Sequence, residues 1–339
     1  MRERIYIRNL QLTGGTTYTV SLPKEWIQSL GLDKGSKIYI EILPDGSLRI
    51  FAKPREGGEK LSKEILVKKG NDLGSLIRRA IAAYLAGFSD LTLKFHLESR
   101  DLAMKVREIL ESSVLGFSVL KEGKSSYTFF SVISEESISL EDAIFRLYED
   151  TFYMMEDCLE GIKDNNVELL RGVIAQDQLV DKLYLFIVKR LTSALMNPIM
   201  VKRYGLDVAA EAPYIFLAVK SMERIADHVS KISEEALCII SMNEKVPGWI
   251  TEKFEDVKEL FDDSVQAFLN PDSGTASKAA RVIDKASREI MEGSKNLKNA
   301  RLQMIINSMN RILSYSLDIS EAAIDIEAIR EAGRRLGFI

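Results

Sequence analysis

One seventeen-residue segment occurs twice near the end of this 339-residue chain, and no other feature constrains the fold as much. Ser221 to Leu237 reads SMERIADHVSKISEEAL, and Ser308 to Ile324 reads SMNRILSYSLDISEAAI; at an offset of 87 residues, eight of the seventeen positions are identical. A weaker pair, VDKLYLFI from Val180 and IDKASREI from Ile283, precedes it in each copy. Such self-similarity implies that a helical unit has been duplicated. Shared positions report the fold. Where the copies differ, the first keeps Glu223 and Asp227 while the second has Asn310 and Ser314, so the divergent acids are candidates for chemistry.

From Ser139 onward, apolar spacing predicts helices over 139–163, 166–196, 206–240, 250–269, 273–299 and 301–335, broken near Asn165, Asn197-Pro198, Pro247-Gly248 and Asn270-Pro271. Six long helices bearing two copies of one pattern predict a domain 139–339 built as two three-helix bundles, 139–240 and 250–335. On the second helix Leu170, Val173, Val180, Tyr184, Val188, Leu191 and Leu195 share one face, and Asp177 and Asp181 fall within it. Carboxylates one turn apart repel, and an unpaired charge drawn into an apolar interface costs roughly several kcal/mol. Glu223 and Asp227 repeat the spacing on the third helix. Two readings follow. The acids lie on solvated faces paired with Lys182, Lys220 or Arg224, or they form an oxygen-rich site for Fe, Mn, Mg or Zn. His228 either ligates there or serves between helices, and Arg224 and Arg311, kept in both copies, read as bundle-stabilising partners.

The front of the chain, residues 1–56, is strand-rich. Ile5 to Gln11 and Tyr18 to Leu22 alternate apolar and polar residues, and Ile38 to Ile42 and Leu48 to Phe51 follow, with turns at Gly14-Gly15 and Asp45-Gly46. Between them PKEWIQSLG reads as a short helix entered at Pro23 and capped by Gly31. Residues 57–134 run strand, helix, strand, helix and two short strands, which predicts a small α/β module. No phosphate loop, paired histidines or nucleophile beside a base can be read there; His96 reads as structural or exposed. Nothing in the chain points to an enzyme.

Composition excludes little. No apolar run approaches the roughly 20 residues of a membrane span, and two cysteines without metal-type spacing, Cys158 and Cys238, suggest a reducing cytosol. Net charge is −4, but residues 1–56 hold nine Lys/Arg against six Asp/Glu, or +3, leaving −7 for the remainder. That hints at an anionic partner for the front.

DQLVDKLY at Asp177 and MERIADH at Met222, in order and recurring, make 139–335 resemble the PhoU family of phosphate-uptake regulators. The resemblance implies two three-helix repeats whose acidic E/D-x-x-x-D pairs bind clusters of metal ions. Asp177, Asp181, Glu223 and Asp227 fall on the pairs of the first repeat. In the second only Asp284 stands at a matching place, with Ala280, Asn310 and Ser314 where acids are expected. YTVSLPKEWIQSLGLDKGSKIYIEILPDGSLRI resembles the AbrB-like swapped-hairpin domain of transition-state regulators and antitoxins. That implies a dimer through residues 1–56, in which two chains interlace strands into one β-barrel that grips DNA. Arg4, Arg8 and Lys24 are its candidate phosphate contacts, although Thr16, Thr17, Thr19, Ile27 and Gln28 stand where members commonly carry arginines. An AbrB-like front on a PhoU-like body is similar to archaeal phosphate regulators. The implied function is cytoplasmic regulation of phosphate uptake through DNA. The alternative is an adaptor that docks on a phosphate transporter's ATPase or signalling partner without touching DNA.

Overall fold

The computed structural model describes residues 5–42, 46–52, 61–131 and 138–337. The chain divides into two compact units, Met1–Glu59 and Lys60–Ile339. In the smaller unit β1 (Gln11–Thr13) pairs antiparallel with β2 (Thr17–Thr19), and β3 (Tyr39–Ile42) pairs antiparallel with β4 (Leu48–Phe51). Gly14 and Gly15 make the first turn in the left-handed region, at φ 63° and 81°. Between the hairpins lies α1 (Lys24–Ser29), closed where Gly31 turns left-handed and the Leu32 N–H donates to Ile27 O.

Among the described residues the two hairpins remain separate sheets, with no closed barrel. Ile5 to Leu10, read as a strand from its alternation, is irregular, and no strand among the described residues pairs with it. Ile5 and Ile7 are 88% and 87% exposed, and α1 buries none of its residues. Asp45 of the second expected turn lies outside the described residues.

The larger unit begins with an α/β module. Its sheet has the order β5-β6-β8-β7, with β5 (Ser62–Val67) parallel to β6 (Asp90–Phe95) and β8 (Ser126–Ser131) antiparallel to both β6 and β7 (Phe117–Gly123). The amphipathic helices α2 (Leu73–Leu85) and α3 (Arg100–Ser113) bury Leu76, Ala80, Val106 and Leu110 against the inward residues Ile65, Val67, Leu91, Leu93 and Phe129.

Then come α4 (Leu140–Asp164), α5 (Val167–Met196), the short α6 (Pro198–Arg203) and α7 (Ala212–Ser241), followed by α8 (Gly248–Leu269), α9 (Ser273–Ser294) and α10 (Ala300–Leu336). Long helix ends are capped locally: Ser139, Asn166, Asp272 and Asn299 accept hydrogen bonds from first-turn N–H groups. Helix α7 starts six residues later than its periodicity predicts, because Pro213 suits only a first helical turn.

Helices α4, α5 and α7 form one three-helix repeat and α8, α9 and α10 the other, and their buried residues belong to one continuous core. The duplication is visible inside it. Ser233 Oγ donates to Cys158 Sγ at 3.2 Å in the first repeat, and Ser320 Oγ lies 3.0 Å from Ser264 Oγ at the matching place in the second. The module rests on the first repeat: Leu185 of α5 packs into the module's core and Leu115 packs against the helical one. Among the described residues, no helix is long and apolar enough to cross a membrane.

Candidate functional site

Asp177 and Asp181 face α7 from α5, and Glu223 and Asp227 face α5 from α7; all four are partly or largely buried. Their helical spacing places each pair one turn apart on one face. The neighbouring positions Val180, Ile225, Ala226 and Val229 are fully buried, and they draw the two helices together. The acids are carried into the seam by this packing.

Electrostatics record the crowding. Burial lifts the Asp177 carboxyl from 3.8 to about 6, helped by the charges of Asp181, Asp227 and Glu223 and opposed by Lys231. Asp181 is raised by burial and by Asp227, with Lys220 and Arg224 opposing. Glu223 is raised by burial, and Lys220 opposes that shift through a hydrogen bond and its charge. Lys220 Nζ reaches both Glu223 oxygens at 2.7 Å and lies 4.5 Å above the Tyr184 ring of α5. Arg224 Nη1 donates to Asp227 Oδ2 at 3.2 Å. Asp177 and Asp181 have no hydrogen bond or ion pair among the described residues.

Both readings of these acids thus find a physical counterpart. Two of the four carboxylates are ion-paired within α7; the other two face the same seam without a cation of their own. As donors, four carboxylates suit a hard or borderline cation. As placed, no three His, Cys, Asp or Glu side chains among the described residues converge tightly enough to hold one.

His228 turns away from the quartet toward α10, where its ring lies 5.9 Å from that of Tyr315. Its Nδ1 is buried without a hydrogen-bond partner among the described residues, and burial lowers the imidazole from 6.5 to about 4, with Lys231 and Arg311 repelling the proton further. It serves the interface between repeats.

The second repeat replaces the quartet with neutral chemistry. Asn310 Oδ1 accepts from Ser287 Oγ at 3.1 Å, Asn310 Nδ2 donates to Ile306 O at 3.3 Å, and Ser314 Oγ donates to Asn310 O at 3.0 Å. Asp284 is exposed and is the one acid among Ala280, Asp284, Asn310 and Ser314, the positions that match the first repeat's quartet.

In the smaller unit, Arg8 stacks its guanidinium 5.5 Å from the Tyr6 ring, and Tyr6 Oη donates to Glu25 at 3.3 Å, next to Lys24. Arg8 and Lys24 are both exposed and stand in one neighbourhood; Arg4 lies outside the described residues. Two features had no sequence signal. Glu211, fully buried before α7, accepts from Arg330 Nη2 of α10 at 3.0 Å and thereby ties the repeats together. Lys189 and Arg190 line a cleft between module and bundle. Both assemblies join segments too distant in sequence for spacing to reveal.

Two family models match separate stretches of the chain. Residues 136–236 match the family model of the PhoU domain, which covers the repeat that carries the acidic seam. Residues 11–59 match the model described as antidote-toxin recognition MazE, a bacterial antitoxin. Similar solved structures include the phosphate transport system regulatory protein PhoU from Streptococcus pneumoniae, at 18% identity and TM-score 0.46, covering 56% of this chain and 93% of that one. PhoU from Pseudomonas aeruginosa is similar at 16% identity and TM-score 0.48, covering 56% and 95%. No curated protein matches. Two stretches of the chain are thus similar to known families, the front to the MazE antitoxin model and residues 136–236 to the PhoU domain model.

Proposed function

We propose that this chain is a non-enzymatic, cytoplasmic regulator of phosphate uptake. The PhoU domain match over 136–236, a range that contains both acid pairs, carries that reading. Within it, the seam of Asp177, Asp181, Glu223 and Asp227 takes a divalent or ferric cation, whose charge offsets the burial and the neighbouring carboxylates that lift Asp177. Lys220 and Arg224 are the groups the cation displaces. Asp284, isolated in the second repeat, does not form a second site. A phosphate transporter's ATPase or its signalling protein is the partner for the helical surface.

The smaller unit pairs with a second copy and binds DNA. Its exposed Ile5, Ile7, Leu12, Tyr18, Ile40 and Ile42 support pairing, because short hairpins of this size bury too little apolar surface to stand alone. Light scattering should give a dimer at micromolar concentration, and a monomer contradicts the pairing. DNA affinity should fall steeply with rising salt as neutralised phosphates release counterions. Arg4→Ala, Arg8→Ala and Lys24→Ala should weaken all sequences alike, since such contacts carry no base information. Absence of binding even at about 50 mM salt favours the adaptor, in which the front only dimerises and the helices dock on the transporter.

A further inference from the structure

We propose that the cavity between the two helical repeats, where ends of α4, α7, α8 and α10 meet, binds an organic cation with an apolar body. The cavity has a volume of about 480 Å³. That size suits a small organic molecule and exceeds what a single ion fills. Its floor is apolar: Leu140 and Ile144 of α4, Leu206 ahead of α7, Ile215 of α7, Phe268 of α8 and Ile326 of α10 line it, and all six are buried. Such walls cannot replace the water shell of a small metal ion, so the ligand brings apolar surface of its own.

The sign of its charge follows from the acids. Glu141, Asp142 and Glu211 line the cavity against one cation, Arg330, among its described lining residues. Arg330 is already matched: its Nη2 donates to Glu211 Oε2 at 3.0 Å, and its Nε lies 3.3 Å from Asp207 Oδ2. Glu141 and Asp142 are exposed in the first turn of α4, and neither has a cationic partner among the described residues. A helix N-terminus carries only about half a positive charge. Those of α4 and α7 therefore offset about one of the two unmatched carboxylates. A negative excess is left, which favours a cation.

The two parts of such a ligand have separate places. Glu141, Asp142, Phe145 and Gln266 are all exposed, whereas the six apolar residues are buried, so a polar rim stands over an apolar floor. Phe145 is 45% exposed, and the face of its ring attracts an ammonium group. Gln266 commits its Nε2 to Tyr148 Oη and Asp262 Oδ1, at 3.3 and 3.1 Å, and its amide oxygen has no donor among the described residues. An ammonium carries three donors, and the rim offers acceptors for them. The apolar body then removes its surface from water against the floor. The first repeat supplies α4 and α7 and the second supplies α8 and α10, so the site exists only where both are packed together. It requires neither DNA binding nor a metal in the acidic seam.

The test is calorimetric titration of the full chain with octylamine, octanol and octanoate, which share one chain length and differ in charge. Octylamine should bind about two- to fivefold tighter than octanol, the range of one exposed ion pair, and octanoate should bind most weakly. Glu141→Gln should raise the Kd of octylamine by about the same factor and leave that of octanol unchanged. Phe145→Ala should raise both about fivefold through lost apolar contact. Tyr153→Ala, which removes a similarly exposed ring about two turns further along α4, should change neither. All three substitutions fall at exposed positions, so the fold is kept. Octanol binding as tightly as octylamine, octanoate binding best, no binding of octylamine, or octylamine binding that either Glu141→Gln or Phe145→Ala leaves unchanged overturns the proposal.

Discussion

The two helical repeats share a core and differ on one face. In both, a fully buried serine of the third helix meets a small polar group of the first, Ser233 with Cys158 and Ser320 with Ser264. Met222 and Met309, and likewise Ile225 and Ile312, are fully buried at matching positions. On the seam between second and third helices the repeats part company. The first crowds four carboxylates there; the second has one exposed acid and a neutral network around Asn310. Packing holds a core residue through many neighbours at once, whereas a seam residue is held by its charge partners alone. Duplication therefore preserved the interior while the face diverged.

That contrast can be broken at several strengths. Met222→Ala and Met309→Ala should each destabilise by about 2–5 kcal/mol in urea titration, since both leave a cavity in the same continuous core. A large loss in one with almost none in the other would mean that the repeats do not share a core as described.

His228 should come next. Its folded-state value of about 4 lies below the ordinary 6.5, so the fold favours the neutral ring. Stability is then fully present above pH 6.5 and is lost as pH falls toward about 4. After allowance for solvent screening, the loss should be about 1–2 kcal/mol. His228→Tyr, which copies Tyr315 of the second repeat, should flatten that part of the pH profile. An unchanged slope would place the titration elsewhere.

Asp177 has the opposite sign. Its raised value means that the fold favours the protonated acid, so the cost of ionisation is absent below 3.8 and complete above about 6. Without added metal, Asp177→Asn should stabilise the chain by about 1 kcal/mol at neutral pH, with the gain vanishing in acid. Asn310→Asp in the second repeat should cost stability over the same interval. The smallest effect belongs to Arg224→Gln, whose exposed pair with Asp227 should contribute about 0.2–1 kcal/mol in salt-dependent fashion.

Much of the helical architecture was legible because periodicity and breakers act locally. The break at Asn197-Pro198 appears where it was read, although α6 interposes one short helix before α7. The acidic seam was legible as two i, i+4 pairs placed among apolar positions. The partition of its charge was not, because Lys220 serves Glu223 while also capping the Tyr184 ring of another helix. Strand alternation failed at Ile5 to Leu10, since alternation reports two chemically different faces and cannot supply the neighbour that completes a ladder. The cleft beside Lys189 and Arg190 was invisible for a related reason: its lining lies on segments brought together only by the packing of the module on α5.

The central claim is that the first repeat binds a cation through Asp177, Asp181, Glu223 and Asp227 and the second does not. The direct measurement is thermal unfolding of metal-stripped protein with and without Mn, Fe, Zn or Mg. A ligand at about one hundred times its Kd stabilises the folded state by about 2.7 kcal/mol. At least one of these ions should therefore raise the Tm by several degrees; Asp181→Ala should abolish the rise, and Asn310→Ala should leave it intact. A Tm indifferent to all four ions, or a rise that survives Asp181→Ala, would contradict the account and leave the seam as a paired structural feature.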